Sequence, residues 1–484
     1  MVWYIILSIT QALLFTSQPT ADALSSNVLP SQAKMTDLND LKTILSHALP
    51  GRNINSYEHV DGVKQANAEG SRILSRHSSS LSEKYDDECD KDALLETELF
   101  LKRVVAKAYT HKSWTDMRRT LVYLRTEVRF YNEIVPLLSN NDDMLRQKIP
   151  NCFHATYDLS GLVEEDSPTT DASQPSPLPQ DEQQINALLE TKGGHMLLES
   201  LSPSHGYFQD SPITRQQSLA CLKTVADLHS SAWGDATLLQ QINDRLSSAG
   251  GSYHLQFRNP KELQNIVASW ETFRGNFVDL NEKTKILLEK DSVVRLGQRV
   301  YDMAEYVSKE LTPKLDEEYA TLVHGDYKAM NVFLPSKDDA VDDKQPIMID
   351  FSCVGIGYGM SDVGMHIVHA VLPQDLENGG EEELLEGYLT VLEEAISRRK
   401  GQSWTYPREI AMRHYQLACI DYLRFILGRF WRSATPESFE KKKASKNTTL
   451  INRNVDAAMT FIEKVDKYLD AFERERKAPS SIIK

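Results

Sequence analysis

Residues 321–362 read TLVHGDYKAMNVFLPSKDDAVDDKQPIMIDFSCVGIGYGMSD, and three polar positions punctuate the apolar stretches of that window. Asp326 follows an apolar run and the flexible Gly325, Asn331 opens the short strand Val332-Phe333-Leu334, and Asp350 closes the strand Ile347-Met348-Ile349. The acidic stretch Asp338 to Asp343 lies between two apolar arms, as the connection of a hairpin does. Antiparallel pairing of those arms predicts Asn331 and Asp350 at one rim, beside Asp326. Phosphoryl transfer needs such a set, because the protein's work there is to position an acceptor hydroxyl and to neutralise charge on the transferring phosphate. A carboxylate at Asp326 can accept the hydroxyl proton. The amide oxygen of Asn331 and the carboxylate of Asp350 are hard oxygen ligands suited to magnesium. Lys328 is close enough in sequence to offer a positive charge to the phosphate. Taken singly, each Asp is most often a turn or cap residue; the combined spacing favours chemistry.

The pattern HGDxxxxN, followed about twenty residues later by IDF and then by GxGxxxxD, resembles the aminoglycoside phosphotransferase and choline kinase superfamily. Within it, His324-Gly325-Asp326-Tyr327-Lys328-Ala329-Met330-Asn331 looks most like the ecdysteroid kinase-like, or CHK kinase-like, branch. The resemblance implies an α+β, bilobal protein-kinase-like fold with a small β-rich N-lobe and a large helical C-lobe. It implies ATP and Mg2+ as cofactors, Asp326 as catalytic base, and Asn331 and Asp350 as metal ligands. His324 then reads as a structural residue, and Asp362 as an anchor for the loop after Gly359.

Upstream residues take their expected roles from the same template. The strand Leu99-Phe100-Leu101-Lys102 precedes a long helix carrying Glu127. In kinase-like folds a small-lobe lysine holds the ATP phosphates and a helix glutamate orients it, which the resemblance assigns to Lys102 and Glu127. Without the template, Lys102 (with Lys107 nearby) reads as a solvated lysine and Glu127 as an exposed helix charge. Met196-Leu197-Leu198-Glu199-Ser200-Leu201 resembles the family's hinge strand, where backbone groups near Glu199 meet adenine; Ser200 replaces the common Asp. Leu228-His229 with Trp233 resembles the family's LHxxxW helix, with His229 as packing. The sequence departs from the pattern at the glycine-rich phosphate loop, for which Gly70-Ser71 is the best candidate. The resemblance spans roughly Asn53 to Trp431.

Helical spacing of Leu38, Leu41, Ile44, Leu45 and Leu49 predicts a helix over 37–49, stopped by Pro50-Gly51. Ile73-Leu74 and Leu99 to Val105 read as strands around the acidic loop Glu83 to Asp92. Leu121, Leu124, Val128, Tyr131 and Val135 mark one face of a helix from Thr115 that Pro136 should end. Cys152 to Asp158 and His195 to Leu198 read as neighbouring strands. The Ser-, Pro-, Thr- and Asp-rich stretch 164–184 reads as a disordered insertion between them. From Thr214 the chain turns helical, interrupted by a β segment over 322–351. Helices are expected over Val293 to Leu311, Glu381 to Arg398, Tyr406 to Trp431 and Asn454 to Arg476. The expected division is 1–23 targeting segment, 24–52 linker and short helix, 53–200 N-lobe and 201–476 C-lobe.

With 484 residues, 41% hydrophobic and 25% charged, the chain can bury a substantial interior. A formal charge of -15 argues against broad nucleic-acid binding, and the short run Lys441-Lys442-Lys443 reads as a solvated helix end. The expected partner is a small-molecule substrate; oligomeric state is not legible. Cys89, Cys152, Cys221, Cys353 and Cys419 have no paired spacing, so reduced thiols are expected. Residues 2–15 are apolar and uncharged but too short to span a bilayer comfortably, and Ala21-Asp22-Ala23 supplies a small-x-small cleavage pattern. A removable signal is therefore expected, giving no stable membrane span in the mature chain. It directs the protein to the secretory route or an organelle reached through it; a non-functional segment leaves it cytoplasmic. On the secretory route, Asn447-Thr448-Thr449 becomes a glycosylation sequon.

The leading expectation is an ATP- and magnesium-dependent kinase of a small-molecule hydroxyl. A catalytically weak, nucleotide-binding pseudokinase is the second reading, prompted by the poor glycine loop and opposed by Asp326, Asn331 and Asp350. A protein kinase is the third; HGD stands where HRD is usual and no APE segment follows.

Overall fold

The computed structural model describes residues 38–64, 68–79, 95–139, 143–162, 186, 189–246, 251, 253–255, 259–336 and 344–477. The targeting segment, the Ser-rich stretch after it, the acidic loop 83–92, the insertion 164–184 and the hairpin connection 338–343 lie outside those residues, as does Cys89. Two compact units divide the chain. The first comprises Met1–Leu124, Pro150–Glu165 and Ser176–His205; the second comprises Arg125–Ile149, Asp166–Pro175 and Gly206–Lys484.

The first unit is an antiparallel sheet with one helix on its face. Helix α1 (Leu38–Ala48) precedes β1 (Arg52–Lys64), β2 (Glu69–Ser79), β3 (Leu95–Val105), β4 (Cys152–Asp158) and β5 (Gly193–Glu199). Their order across the sheet is β1-β2-β3-β5-β4. Leu41, Ile44, Leu45 and Ala48 of α1 pack on Ile54, Ile73, Leu99, Leu101 and Leu197. Full burial of such a side chain is worth roughly 1.5–3 kcal/mol, which fixes this short helix to the sheet. The two strands predicted on either side of 164–184 are indeed neighbours, paired from Cys152↔Leu198 to Asp158↔Gly193.

Two features of this unit differ from the sequence expectation. Strand β1 carries almost no apolar alternation, and the sheet forms it through pairing with β2 along its whole length, with bulges at Ile54/Ser56 and His59/Asp61. Gly70-Ser71, the candidate phosphate loop, lies inside β2; Gly70 pairs directly opposite Lys102 of β3.

In the second unit the residues from Arg125 onward complete helix α2 (Trp114–Arg129). Pro136 does not end the helical run. A π-turn, Phe130–Ile134, intervenes, with the Val135 N–H donating to the Phe130 carbonyl, and a helical segment continues to Ser139. The wider turn fits the proline, which lacks the N–H that the regular ladder needs. Strand β6 (Tyr207–Phe208) follows, then α3 (Arg215–Ala232), closed at its start by a Thr214/Gln217 capping box. The strand segment resolves into β7 (Thr321–Val323), β8 (Val332–Pro335), β9 (Ile347–Met348) and β10 (Gly355–Gly357). They form a three-stranded sheet, β6-β8-β9, and a two-stranded pair, β10-β7.

Helices make the rest: α4 (Leu296–Leu311), α5 (Met360–Ala370), α6 (Gly380–Lys400), α7 (Arg408–Arg429) and α8 (Val455–Lys477). The helix expected from Val293 is broken at Arg295, with a short turn Asp291–Val294 before it. Glu381, Glu382 and Glu383 open α6 and Arg398, Arg399 and Lys400 close it, complementing the helix dipole, and Gly401 in the left-handed region stops it. The α+β, kinase-like fold expected from the sequence is the fold observed: a β-rich first unit and a mostly helical second. Among the described residues no helix is long and apolar enough to cross a membrane. Cys152, Cys221, Cys353 and Cys419 are free thiols.

In the second unit His366, His369 and His414 are buried and His254 is half-buried, all with pKa values lowered chiefly by burial: His254 to about 4, His366 to about 3, His414 to about 4 and His369 well below the usual value. In the unfolded chain each takes a proton near pH 6.5. The stability they contribute is full above that pH and declines as the pH falls toward the folded values, by roughly 1.4 kcal/mol per pH unit for each. Thermal unfolding followed from pH 7.5 to pH 5 should show a falling midpoint over the lower half of that range; a flat midpoint contradicts neutral burial.

Candidate active site

The window that opens the sequence folds as its pattern requires. Val332 pairs with Met348 and Phe333 with Ile347, and the Ile349 N–H donates to the Asn331 carbonyl at 2.9 Å. Asn331 and Asp350 therefore end the two arms on the same rim. Between Asp326 and Asn331 the backbone makes two tight turns, Lys328 N–H to Asp326 carbonyl at 3.0 Å and Asn331 N–H to Lys328 carbonyl at 2.8 Å. These turn the Asn331 amide toward Asp326: its Nδ2 donates to the Asp326 backbone carbonyl at 2.8 Å and to the carboxylate Oδ2 at 3.2 Å. Lys328 Nζ lies 3.1 Å from the same oxygen.

Burial makes this cluster electrostatically tense. Asp350 is 5% exposed and Asn331 fully buried, while the Asp326 side chain keeps 21% exposure. Burial pushes the Asp326 carboxyl above the ordinary carboxylate range; Lys328 pulls it back, Asp350 pushes it further up, and His324 pulls it down. Asp350 sits at φ 64, ψ 63, a left-handed conformation that costs a non-glycine residue about 1–2 kcal/mol and that persists where the surroundings impose it.

The residues behind the cluster lock its position. The Asp362 carboxylate accepts the His324 N–H at 2.6 Å and the Gly325 N–H at 2.9 Å, and it pairs with His229 Nε2 at 3.0 Å. His229 Nδ1 in turn meets the Tyr388 hydroxyl at 2.9 Å. Asp362 thus anchors the turn that carries Asp326, a different task from the expected one of holding the loop after Gly359. His324 is structural as expected: fully buried, with Nε2 2.9 Å from the Ile349 carbonyl. Gly325 has φ 77, and a Cβ there would lie 2.1 Å from the Cys353 carbonyl oxygen, so only glycine fits.

Phe351, which follows Asp350, ties that end of the hairpin to the helix of Glu127. Its ring stacks on Phe130 at 3.9 Å between centroids and meets Tyr131 edge-on at 6.0 Å. Glu127, one turn before Phe130, is 2% exposed, so the exposed-charge reading does not hold. Lys102 is 8% exposed in the first unit and is not a solvated surface lysine either. Glu199, also in the first unit, is half-buried; its carboxylate accepts the Asn151 N–H at 3.1 Å and the Asn151 Nδ2 at 3.0 Å, and its own N–H donates to the Asn151 carbonyl. The structure thus brings Asp326, Lys328, Asn331 and Asp350 together in the second unit, with Glu127 on the helix stacked against Phe351. Lys102 and Glu199 lie on paired strands of the first.

Sequence reasoning missed the buried ion pair between Lys148 and Asp227. Lys148 also receives the Met348 N–H on its carbonyl at 2.8 Å, which fastens β9 from behind. Its only sequence signal was an acid just before Leu228-His229. A narrow pocket beside Gly325 was also unforeseen; Asp362, Met365, Ala418, Asp421 and Tyr422 line it.

One observation bears on a divalent cation. The Asn331 Oδ1 atom is buried and has no hydrogen-bond partner among the described residues, so it is open to an ordered water or a cation. An unsatisfied amide oxygen next to the buried Asp350 carboxylate is a hard, anionic donor set, so these residues fit magnesium.

A carboxylate with a lysine, an asparagine and an aspartate on one hairpin rim, set in an α+β fold, is the arrangement expected of a small-molecule phosphotransferase of the kinase-like superfamily. The model of the ecdysteroid kinase-like family matches residues 88–400, well over half of the chain, and the chain belongs to that family. Among solved structures it is similar to the choline kinase LicA from Streptococcus pneumoniae, at 9% identity over 90% of this chain and 98% of that one, with a TM-score of 0.36. It is also similar to an aminoglycoside phosphotransferase from Alicyclobacillus acidocaldarius, at 12% identity over 94% of this chain and 98% of that one, with a TM-score of 0.33. No curated protein matches the chain.

Proposed function

We propose that the protein transfers a phosphoryl group from ATP to a hydroxyl of a small molecule, with magnesium as cofactor. The observation that carries this reading is the convergence of Asp326, Lys328, Asn331 and Asp350 on one rim, with the Asn331 oxygen buried and unsatisfied. Asp326, partly exposed beside the pocket of Asp421 and Tyr422, orients the acceptor hydroxyl and takes its proton. Its raised pKa makes it a better base than an exposed carboxylate. Lys328, already 3.1 Å from Asp326, offers positive charge to the phosphate that moves. Asn331 and Asp350 hold magnesium, which when bound neutralises charge on the nucleotide phosphates. Lys102 is assigned to the nucleotide phosphates, Glu127 to orienting that lysine, and the backbone near Glu199 to adenine.

The family's name makes an ecdysteroid the first acceptor to try. ADP release in the presence of Mg2+ and ATP tests the reading, and dependence on acceptor separates transfer from hydrolysis. Loss of all turnover on removing Mg2+ is expected. Asn331→Ala should shift the Mg2+ concentration for half-maximal rate upward by tenfold or more, since it deletes one of two side-chain ligands. An unchanged Mg2+ dependence would take Asn331 out of the metal site.

The pseudokinase reading predicts no ADP release under any acceptor. The buried, left-handed Asp350 favours the leading reading over it, because backbone strain of this kind clusters at active sites. For the compartment, we propose entry to the secretory route or an organelle reached through it, from the apolar segment at residues 2–15; a C-terminal fluorescent fusion that stays diffuse in the cytosol would contradict it.

A further inference from the structure

In the first unit a cavity of about 340 Å3 opens between α1 and the face of β3, β4 and β5. Its apolar wall is Leu41, Ile44 and Leu101. Strand alternation turns Arg103 to the same face as Leu101, toward α1, and turns Lys102 to the other. Ladder pairing sets Arg103 beside His195, and His195 beside Thr156, so a polar row crosses the floor of the cavity.

The charges around that floor are unequal in their commitments. Lys192 is held by Asp158 at 2.6 Å and by Ser160 at 2.7 Å, and Glu190 by Lys107. Among the described residues the Arg103 side chain makes no ion pair or hydrogen bond, though it is only partly exposed. Glu69, directly opposite Arg103 in the β2–β3 ladder, is exposed and makes no ion pair with it. A guanidinium at an apolar wall, with Asp158 and Glu190 already matched, can hold an anion, and a carboxylate can meet its planar fork with two hydrogen bonds. The size of the cavity limits the rest of the ligand. It matches the volume of roughly ten water molecules, hence a body of about that many non-hydrogen atoms, and it falls within the range of small-molecule pockets.

We propose that this cavity binds an amphipathic monoanion, a carboxylate on a short apolar chain, with its head on Arg103 and its chain against Leu41, Ile44 and Leu101. The site is separate from the chemistry at Asp326 and does not depend on the function assigned there.

Isothermal titration of the full chain with decanoate, below its micellar concentration, tests it. Saturable one-to-one binding is expected in the wild type and in Asp326→Ala alike. Arg103→Ala should weaken it tenfold or more, and Leu41→Trp, which fills the apolar end and leaves Arg103 in place, should abolish it. 1-Decanol, with the same chain and no charge, should bind at least tenfold more weakly, and decyltrimethylammonium not at all. Circular dichroism confirms that both variants are folded. Equal affinity for decanol and decanoate, wild-type affinity in both folded variants, or no saturable binding of decanoate would each overturn the proposal.

Discussion

Asp326→Ala should lower the rate of phosphoryl transfer by about 10²–10⁴-fold, the range that a positioned general base supplies, and should leave the protein at least as stable as the wild type. The two halves of that expectation have one cause. Burial and the charge of Asp350 raise the Asp326 pKa, so the ionised carboxylate is less favourable in the folded chain than in the unfolded one. That penalty is present above the folded pKa and vanishes as the pH falls below the unfolded value. At neutral pH, removing the carboxylate removes the penalty. Asp326→Asn, which keeps the size of the side chain, should show the same loss of turnover. A thermal midpoint that holds or rises while turnover collapses is the signature of a group kept for chemistry. A midpoint that drops together with turnover would make Asp326 a structural residue.

Asp362 should behave in the opposite way. Its carboxylate is almost wholly buried and satisfies two backbone N–H groups and one imidazole. Asp362→Ala strands those donors in the interior, at roughly 1–3 kcal/mol for each. The sum, roughly 3–9 kcal/mol, is a large part of the 5–15 kcal/mol that holds a typical domain folded. A marked fall in the urea midpoint is expected, with turnover lost as the His324-Gly325-Asp326 turn loses its anchor. Asp362→Asn keeps one accepting oxygen and should lie between alanine and wild type in stability. Wild-type stability in Asp362→Ala would show that water replaces the carboxylate and that the turn holds itself.

The contrast between these two aspartates bears on what the sequence made legible. Both stood out in one motif, and the resemblance already gave Asp326 as base and Asp362 as an anchor. What the motif could not name is what Asp362 anchors: the backbone of His324 and Gly325, with His229 behind it. The hairpin of β8 and β9 was readable because its arms are short, apolar and bounded by Asn331 and Asp350, so the register had one solution. Helix α8 was readable because one face repeats with helical period over many turns, whereas α7 is buried on nearly every side and reads as a long apolar run.

What escaped notice lacks a local signal. Strand β1 is polar along most of its length and owes its conformation to β2. The π-turn before Pro136 arises from a missing N–H felt within a continuing helix, whereas sequence rules treat proline as a stop. Lys148 and Asp227 are a long way apart in the chain, and each alone reads as a surface charge. Burial of Lys102 and Glu127 was likewise invisible without the template, since a lysine in a strand and a glutamate in a helix are ordinary solvated residues.

Phosphorus NMR of the protein with ATP, Mg2+ and a pool of small hydroxylated metabolites, ecdysteroids among them, tests the central claim most directly. A phosphomonoester resonance should grow as ADP appears with the wild type and stay absent with Asp326→Ala. ATP that persists unchanged with the wild type, or a monoester formed equally by both proteins, would contradict it.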